Sequence, residues 1–156
     1  MSSRLAPSPS EAERMNNTEN ISLPKTIIEE IRNQALEEIP NEACGYLIGQ
    51  NGSAQILHKM TNADSSPEHF SFSPDEQFAA LKKARALDKE LVAVYHSHPV
   101  TPPRMSNEDI RLANDPEAVY VIYAVATEGI KAFKVTQEKE VIDIDIKVIS
   151  NLEKGE

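Results

Sequence analysis

Apolar and polar positions alternate in distinct regimes along this chain. The first twenty residues, MSSRLAPSPSEAERMNNTEN, show no apolar face at any period and are rich in Ser, Pro, Asn and Glu, a composition that predicts a mobile, disordered tail. From Pro24 onward Ile27, Ile28, Ile31 and Ala35 recur at helical spacing until Pro40, which predicts a first helix with Pro24 in its opening turn. CGYLIG (44–49) and AQILHKM (54–60) flank QNGS and read as two strands joined by an Asn-Gly turn. After a polar loop, Ser73-Pro74-Asp75-Glu76 combines an N-cap, a first-turn proline and early acidic residues, predicting a second helix from Pro74 to about Asp88.

The second half is richer in strands. LVAVY (91–95) and VYVIYAVA (119–126) are continuous apolar runs of the kind found in central strands. IKAFKV (130–135) follows Glu128-Gly129, and VIDIDIKVI (141–149) alternates, with Ile142, Ile144, Ile146 and Val148 on one face. The last strand is expected to be half exposed. Helices mixed with mostly meandering strands predict an α/β fold, a mixed β-sheet flanked by helices in a two- or three-layer sandwich. A single domain over residues 21–150 is expected, with residues 151–156 as a short C-terminal tail.

Charge and composition narrow the functions. A formal net charge of −9 without any local basic cluster opposes nucleic-acid binding. No apolar run reaches the roughly 18 residues of a membrane span, and the N-terminal segment lacks the apolar centre of a secretory signal, so a soluble, cytoplasmic protein is expected. The single cysteine, Cys44, excludes an intramolecular disulfide and any zinc site needing two thiolates. A metal would have to use His and carboxylate.

Such groups cluster in HSHPVTPPRMSNED, residues 96–109. His96 and His98 extend the LVAVY strand, and the two-residue period of a strand points both imidazoles to one side. Asp109 follows His98 across ten intervening residues that include the stiff PVTPP turn. Two histidines and a carboxylate suit Zn²⁺ with a fourth position open, as in catalytic sites, and the same ligand types also serve non-haem iron. Ser106 and Asp109 have a purely structural reading as well, because Ser-x-x-Asp before Ile110 and Leu112 is a helix start with Ser106 as N-cap. The readings are compatible, since a helix start aims a carboxylate rigidly. There is no H-E-x-x-H helix and no deaminase pattern, so a general base must come from elsewhere in the chain, where Glu37, Glu38 and Glu42 remain open.

The motif H-x-H-P at 96–99, followed by Ser106 and Asp109 as S-x-x-D, resembles the signature of JAMM (MPN+) zinc metalloproteases. EACGYLIG (42–49) is similar to that family's segment bearing the catalytic glutamate, and the likeness runs from about Pro24 to Ile149, with FSFSPDEQF included. Met105 departs from it, standing where many members have proline. The resemblance implies a JAMM/MPN-like, cytidine-deaminase-like sandwich. It implies one Zn²⁺ per chain held by His96, His98 and Asp109, with Glu42 as proton acceptor from water and Ser106 as oxyanion stabiliser. It also implies an isopeptidase or peptidase acting on an amide bond. The compact segment from Glu42 to Asp109, with too few spare ligands for a second zinc, resembles the prokaryotic members linked to ubiquitin-like sulfur carriers. The expected substrate is therefore a carrier protein with a Gly-Gly tail. The alternative is an MPN scaffold module without hydrolase activity, although a scaffold needs none of these five groups together.

Four other residues are read as bystanders. His58 and His69 are expected on the solvent side, and Cys44 as a small buried hydrophobe. Tyr95, opposite His96 in the strand period, is expected to pack.

Overall fold

The computed structural model describes residues 19–150. In chain order these form β1 (Asn20–Pro24), α1 (Lys25–Glu38), β2 (Cys44–Gln50), β3 (Ser53–Met60), α2 (Pro74–Ala86), β4 (Glu90–His98), α3 (Asn107–Leu112), β5 (Tyr120–Ala124), β6 (Gly129–Val135) and β7 (Val141–Ile149). The expected hairpin is present: β2 and β3 pair antiparallel, and Asn51 and Gly52 turn the chain with φ of 54° and 74°, the left-handed pair that a two-residue hairpin turn requires. Ser73 caps α2 by accepting the Glu76 N–H, and Pro74 occupies its first turn.

The strands make one mixed sheet in the order β1-β3-β2-β4-β5-β6-β7, and β1 pairs parallel with β7, so the sheet closes on itself. The central pairing of β4 with β5 is also parallel, whereas β2 meets β4 antiparallel. Period-two alternation divides the side chains between two faces. On one face α1 presents Ile27, Ile31 and Ala35 to Leu47, Ala93, Tyr95 and Val121 in the main core. On the other, α2 covers Cys44, Tyr46 and Met60, while Met105 and Ala113 cover Ile122, Phe133 and Val135. His96 and His98 belong to this second face, between the two smaller clusters, and Tyr95 points the opposite way into the main core.

Two differences from expectation have physical causes. Residues 20–24, where the expected tail ends and the expected helix begins at Pro24 with no element between, form β1 instead; Ile21 and Leu23 are fully buried once five residues pair with β7, more than a hundred positions away. The rest of the expected N-terminal tail, to residue 18, and the expected tail at 151–156 lie outside the described residues. In β7 only Ile144 and Ile146 turn inward to the main core, whereas Ile142 and Val148 are about half exposed near the strand ends. As expected, β4 runs on through His98, so both histidines are held by ladder hydrogen bonds. Among the described residues no helix is long and apolar enough to cross a membrane.

Candidate metal centre

Three elements deliver the site. β4 presents His96 and His98 on one face, and the intervening Ser97 uses the other. The Ser97 hydroxyl accepts the Ala43 N–H at 2.8 Å, and the Ser97 N–H donates to the Ala43 carbonyl at 2.9 Å, which fastens the residue after Glu42 to the histidine strand. Glu42 is fixed from the other side as well: its N–H donates to Ser66 O, and its carbonyl accepts Asn62 Nδ2 at 3.1 Å. α3 supplies the carboxylate through a reciprocal cap. Asp109 N–H donates to Ser106 Oγ and Ser106 N–H donates to Asp109 Oδ2, each at 3.0 Å.

Asp109 faces both rings. Its Oδ1 lies 3.3 Å from His96 Nε2 and its Oδ2 lies 3.0 Å from His98 Nε2. One ligand atom each from Glu42, His96 and His98 falls within 4.8 Å of the others. All four residues are buried, with Glu42 at 2% exposure. The sequence-predicted set of Glu42, His96, His98, Ser106 and Asp109 is thus brought to one place.

The donor chemistry fits a cation. His98 Nδ1 lies 2.8 Å from the Pro102 carbonyl, which only accepts, so Nδ1 carries the hydrogen. Unless His98 is doubly protonated, its Nε2 then turns a lone pair toward a carboxylate oxygen, and a cation between them converts that repulsion to ligation. A carbonyl behind a ring nitrogen is also the usual outer support of a metal-binding histidine. Glu42 Oε1 and both ring nitrogens of His96 are buried with no hydrogen-bond partner among the described residues, a costly arrangement unless something charged joins them. The separations of 3.0 and 3.3 Å approach the roughly 3.3 Å edge of a tetrahedron whose ligands stand about 2.0–2.1 Å from zinc.

Electrostatics points the same way. Burial, then the nearby Asp109 and Glu68 charges, push the Glu42 carboxyl up to about 9. Burial lowers the His96 imidazole against the opposing pull of Asp109. Burial alone would raise Asp109, but the two imidazoles of His96 and His98 beside it outweigh burial and hold the carboxyl below its usual range. The pocket is short of positive charge, and a bound divalent ion would reverse the bias on Glu42.

Several residues have places the sequence did not suggest. Asn62 is buried, and its side-chain amide donates to the carbonyls of Glu42, Ser66 and His69. Phe70 lays its ring 4.7 Å from that of His96. His69, with 40% of its side chain exposed as expected on the solvent side, also lines the cleft beside His96 and hydrogen-bonds Asp64. A polar loop rich in Asn, Asp and Ser gives no sign of such roles until the carbonyls it serves are assembled. Cys44 is fully buried as expected, and burial pushes its thiol up to about 12, so it is no nucleophile.

Two histidines at the end of β4, faced by an aspartate from α3 and a buried glutamate, make a candidate metal-binding site on a closed mixed sheet, and comparison with known proteins gives the family. Residues 24–136 match the family of prokaryotic homologs of the JAB domain, and the chain belongs to that family. It is 37% identical over 90 residues to the CysO-cysteine peptidase of Mycobacterium tuberculosis, a match covering 56% of this chain and 62% of that protein. It is 33% identical over 122 residues to a probable TtuB-protein conjugate cleaving protease of Thermus thermophilus, covering 76% of this chain and 78% of the relative. The fold is similar to the solution structure of protein DSY2949 from Desulfitobacterium hafniense, with a TM-score of 0.78, 37% identity, and coverage of 83% and 93% of the two chains.

Proposed function

We propose that this protein is a zinc-dependent peptidase or isopeptidase of the cytoplasm that hydrolyses the amide bond after the C-terminal Gly-Gly of a ubiquitin-like or sulfur-carrier protein. The observation carrying this reading is the buried convergence of Glu42, His96, His98 and Asp109, with polar atoms left unpartnered among the described residues. The names of the two relatives, a CysO-cysteine peptidase and a TtuB-protein conjugate cleaving protease, support the substrate class. A catalytically silent scaffold would have no use for this donor set.

His96, His98 and Asp109 would hold the zinc, which when bound supplies Lewis-acid activation of water and of the scissile carbonyl. Glu42 accepts a proton from the attacking water at its buried Oε1 and passes it to the departing amine, a role that suits a carboxylate with no other bond to break. The Ser106 oxygen accepts the Asp109 N–H, which leaves its own O–H to donate toward the developing oxyanion. The pleat of β4 and the cap of α3 hold these groups in place before substrate arrives.

Metal analysis beside a mass-resolved cleavage assay tests the reading. About one zinc per chain is expected, with loss of the metal in His98→Ala and Asp109→Ala and hydrolysis of a carrier extended beyond Gly-Gly. Full zinc occupancy in both variants would remove the ligand assignment. Failure to cut any extended carrier while zinc is bound would remove the activity.

A further inference from the structure

Beside the ligands lies a cleft of about 260 Å³ lined by Phe70, Met105, Leu112, Ala113 and Tyr120. His96 and Asp109 form part of the same wall, so the cleft opens directly onto the reacting centre. It is preformed rather than a gap beneath a loose loop. Asp64 accepts from Ser71 Oγ and pairs with His69 Nδ1, each at 2.9 Å, and Asn62 ties the His69 carbonyl to that of Glu42. Phe70 is held between the rings of His96 and Phe72. Nothing in the hydrolytic roles of Glu42, Ser106 and the ligands requires such a recess.

We propose that this cleft is the leaving-group subsite, and that it receives an apolar side chain on the residue whose amine is released. The inference rests on the carrier reading above. On that reading the acyl side ends in glycines, which have no side chain to fill a recess, so an apolar hollow next to the ligands serves the other side of the bond. Its volume admits a side chain and excludes a folded partner. The remaining polar lining, His69 and Ser71, is already engaged with Asp64, so a charged side chain would lose hydration against mostly apolar walls. An acidic one would also meet Asp109 in the wall, in a chain of net charge −9.

The test uses the zinc-loaded full chain and a β-grasp carrier ending in Gly-Gly extended by one residue, Leu, Ala, Lys or Asp, with kcat/KM followed by mass. Leu is expected to be released fastest and Asp slowest, separated by roughly 10- to 200-fold, the range by which apolar pockets discriminate. Leu112 is 46% exposed on the last turn of α3, where a cation is compatible with the helix end. Leu112→Arg should therefore fold, keep wild-type zinc content and reduce the Leu-to-Asp ratio by about tenfold or more, because one wall is now positive. Equal rates for all four carriers, or an unchanged ratio in Leu112→Arg, overturns the subsite while leaving the hydrolase reading intact. Cleavage of none of the four with zinc bound overturns the carrier reading and this subsite with it.

Discussion

At the scale of single residues, the site turns on which of three glutamates is buried. Glu37 is exposed and Glu38 takes a hydrogen bond from Gln34, whereas Glu42 stands beyond the helix with its carboxylate enclosed beside the histidines. Composition and spacing leave all three open, because burial depends on how the 39–43 segment is tied to Ser66, Asn62 and Ser97. The histidines and Asp109 were legible earlier, since strand period and helix capping are local rules. Glu42→Gln should retain fold and metal and lose turnover, because an amide of nearly the same shape cannot accept the proton. Ser106→Ala should lose about 10- to 1000-fold in kcat as an oxyanion donor and about 1 kcal/mol of stability as a cap. Circular dichroism, metal content and single-turnover rates measure these separately. Near-normal turnover in Glu42→Gln would move the base to another carboxylate.

Among the elements, those built from local patterns were predictable and those built from distant pairing were not. The β2–β3 hairpin follows from Asn51-Gly52 and two alternating runs, and α2 follows from its Ser-Pro-Asp-Glu start. β1 is five residues ending in proline, adjoining a polar stretch, and it becomes a strand by pairing with β7 at the far end of the sequence. The same non-locality hides the loop between β3 and α2, whose organiser is Asn62. Its amide spans three carbonyls, one of them Glu42's, and its Oδ1 accepts the Asp64 N–H, so one side chain couples the proposed base to the cleft wall. Asn62→Ala leaves buried carbonyls without their donor, which should lower stability by about 1–3 kcal/mol. It should also lower kcat more than zinc content, because Glu42 loses its hold while His96, His98 and Asp109 keep theirs. Denaturant unfolding and metal titration on the same sample decide this. A variant that loses zinc in proportion to activity would make Asn62 part of the ligand framework instead.

For the whole molecule, the closed sheet and the metal site act on each other. The two histidines lie on a strand flanked by β2 and β5, on the face opposite the α1 core, and α3 reaches across to close the site with Asp109. A cation there would bridge β4 to α3 and relieve the crowding of buried ligand atoms left unpaired among the described residues. Because the site exists only in the folded chain, metal binding adds to stability by mass action, about 2.7 kcal/mol when free zinc is a hundredfold above its dissociation constant. For a chain of this size that corresponds to a Tm higher by roughly 8 °C, at about 3 °C per kcal/mol. Chelation of the purified protein should therefore lower Tm by an amount of that order, and returning zinc should restore it. His98→Ala, without a complete ligand set, should melt at the same temperature with or without chelator. Differential scanning calorimetry of both proteins, with and without chelator, makes the comparison. An equal chelator effect in His98→Ala would place the stabilising metal somewhere other than the β4–α3 junction.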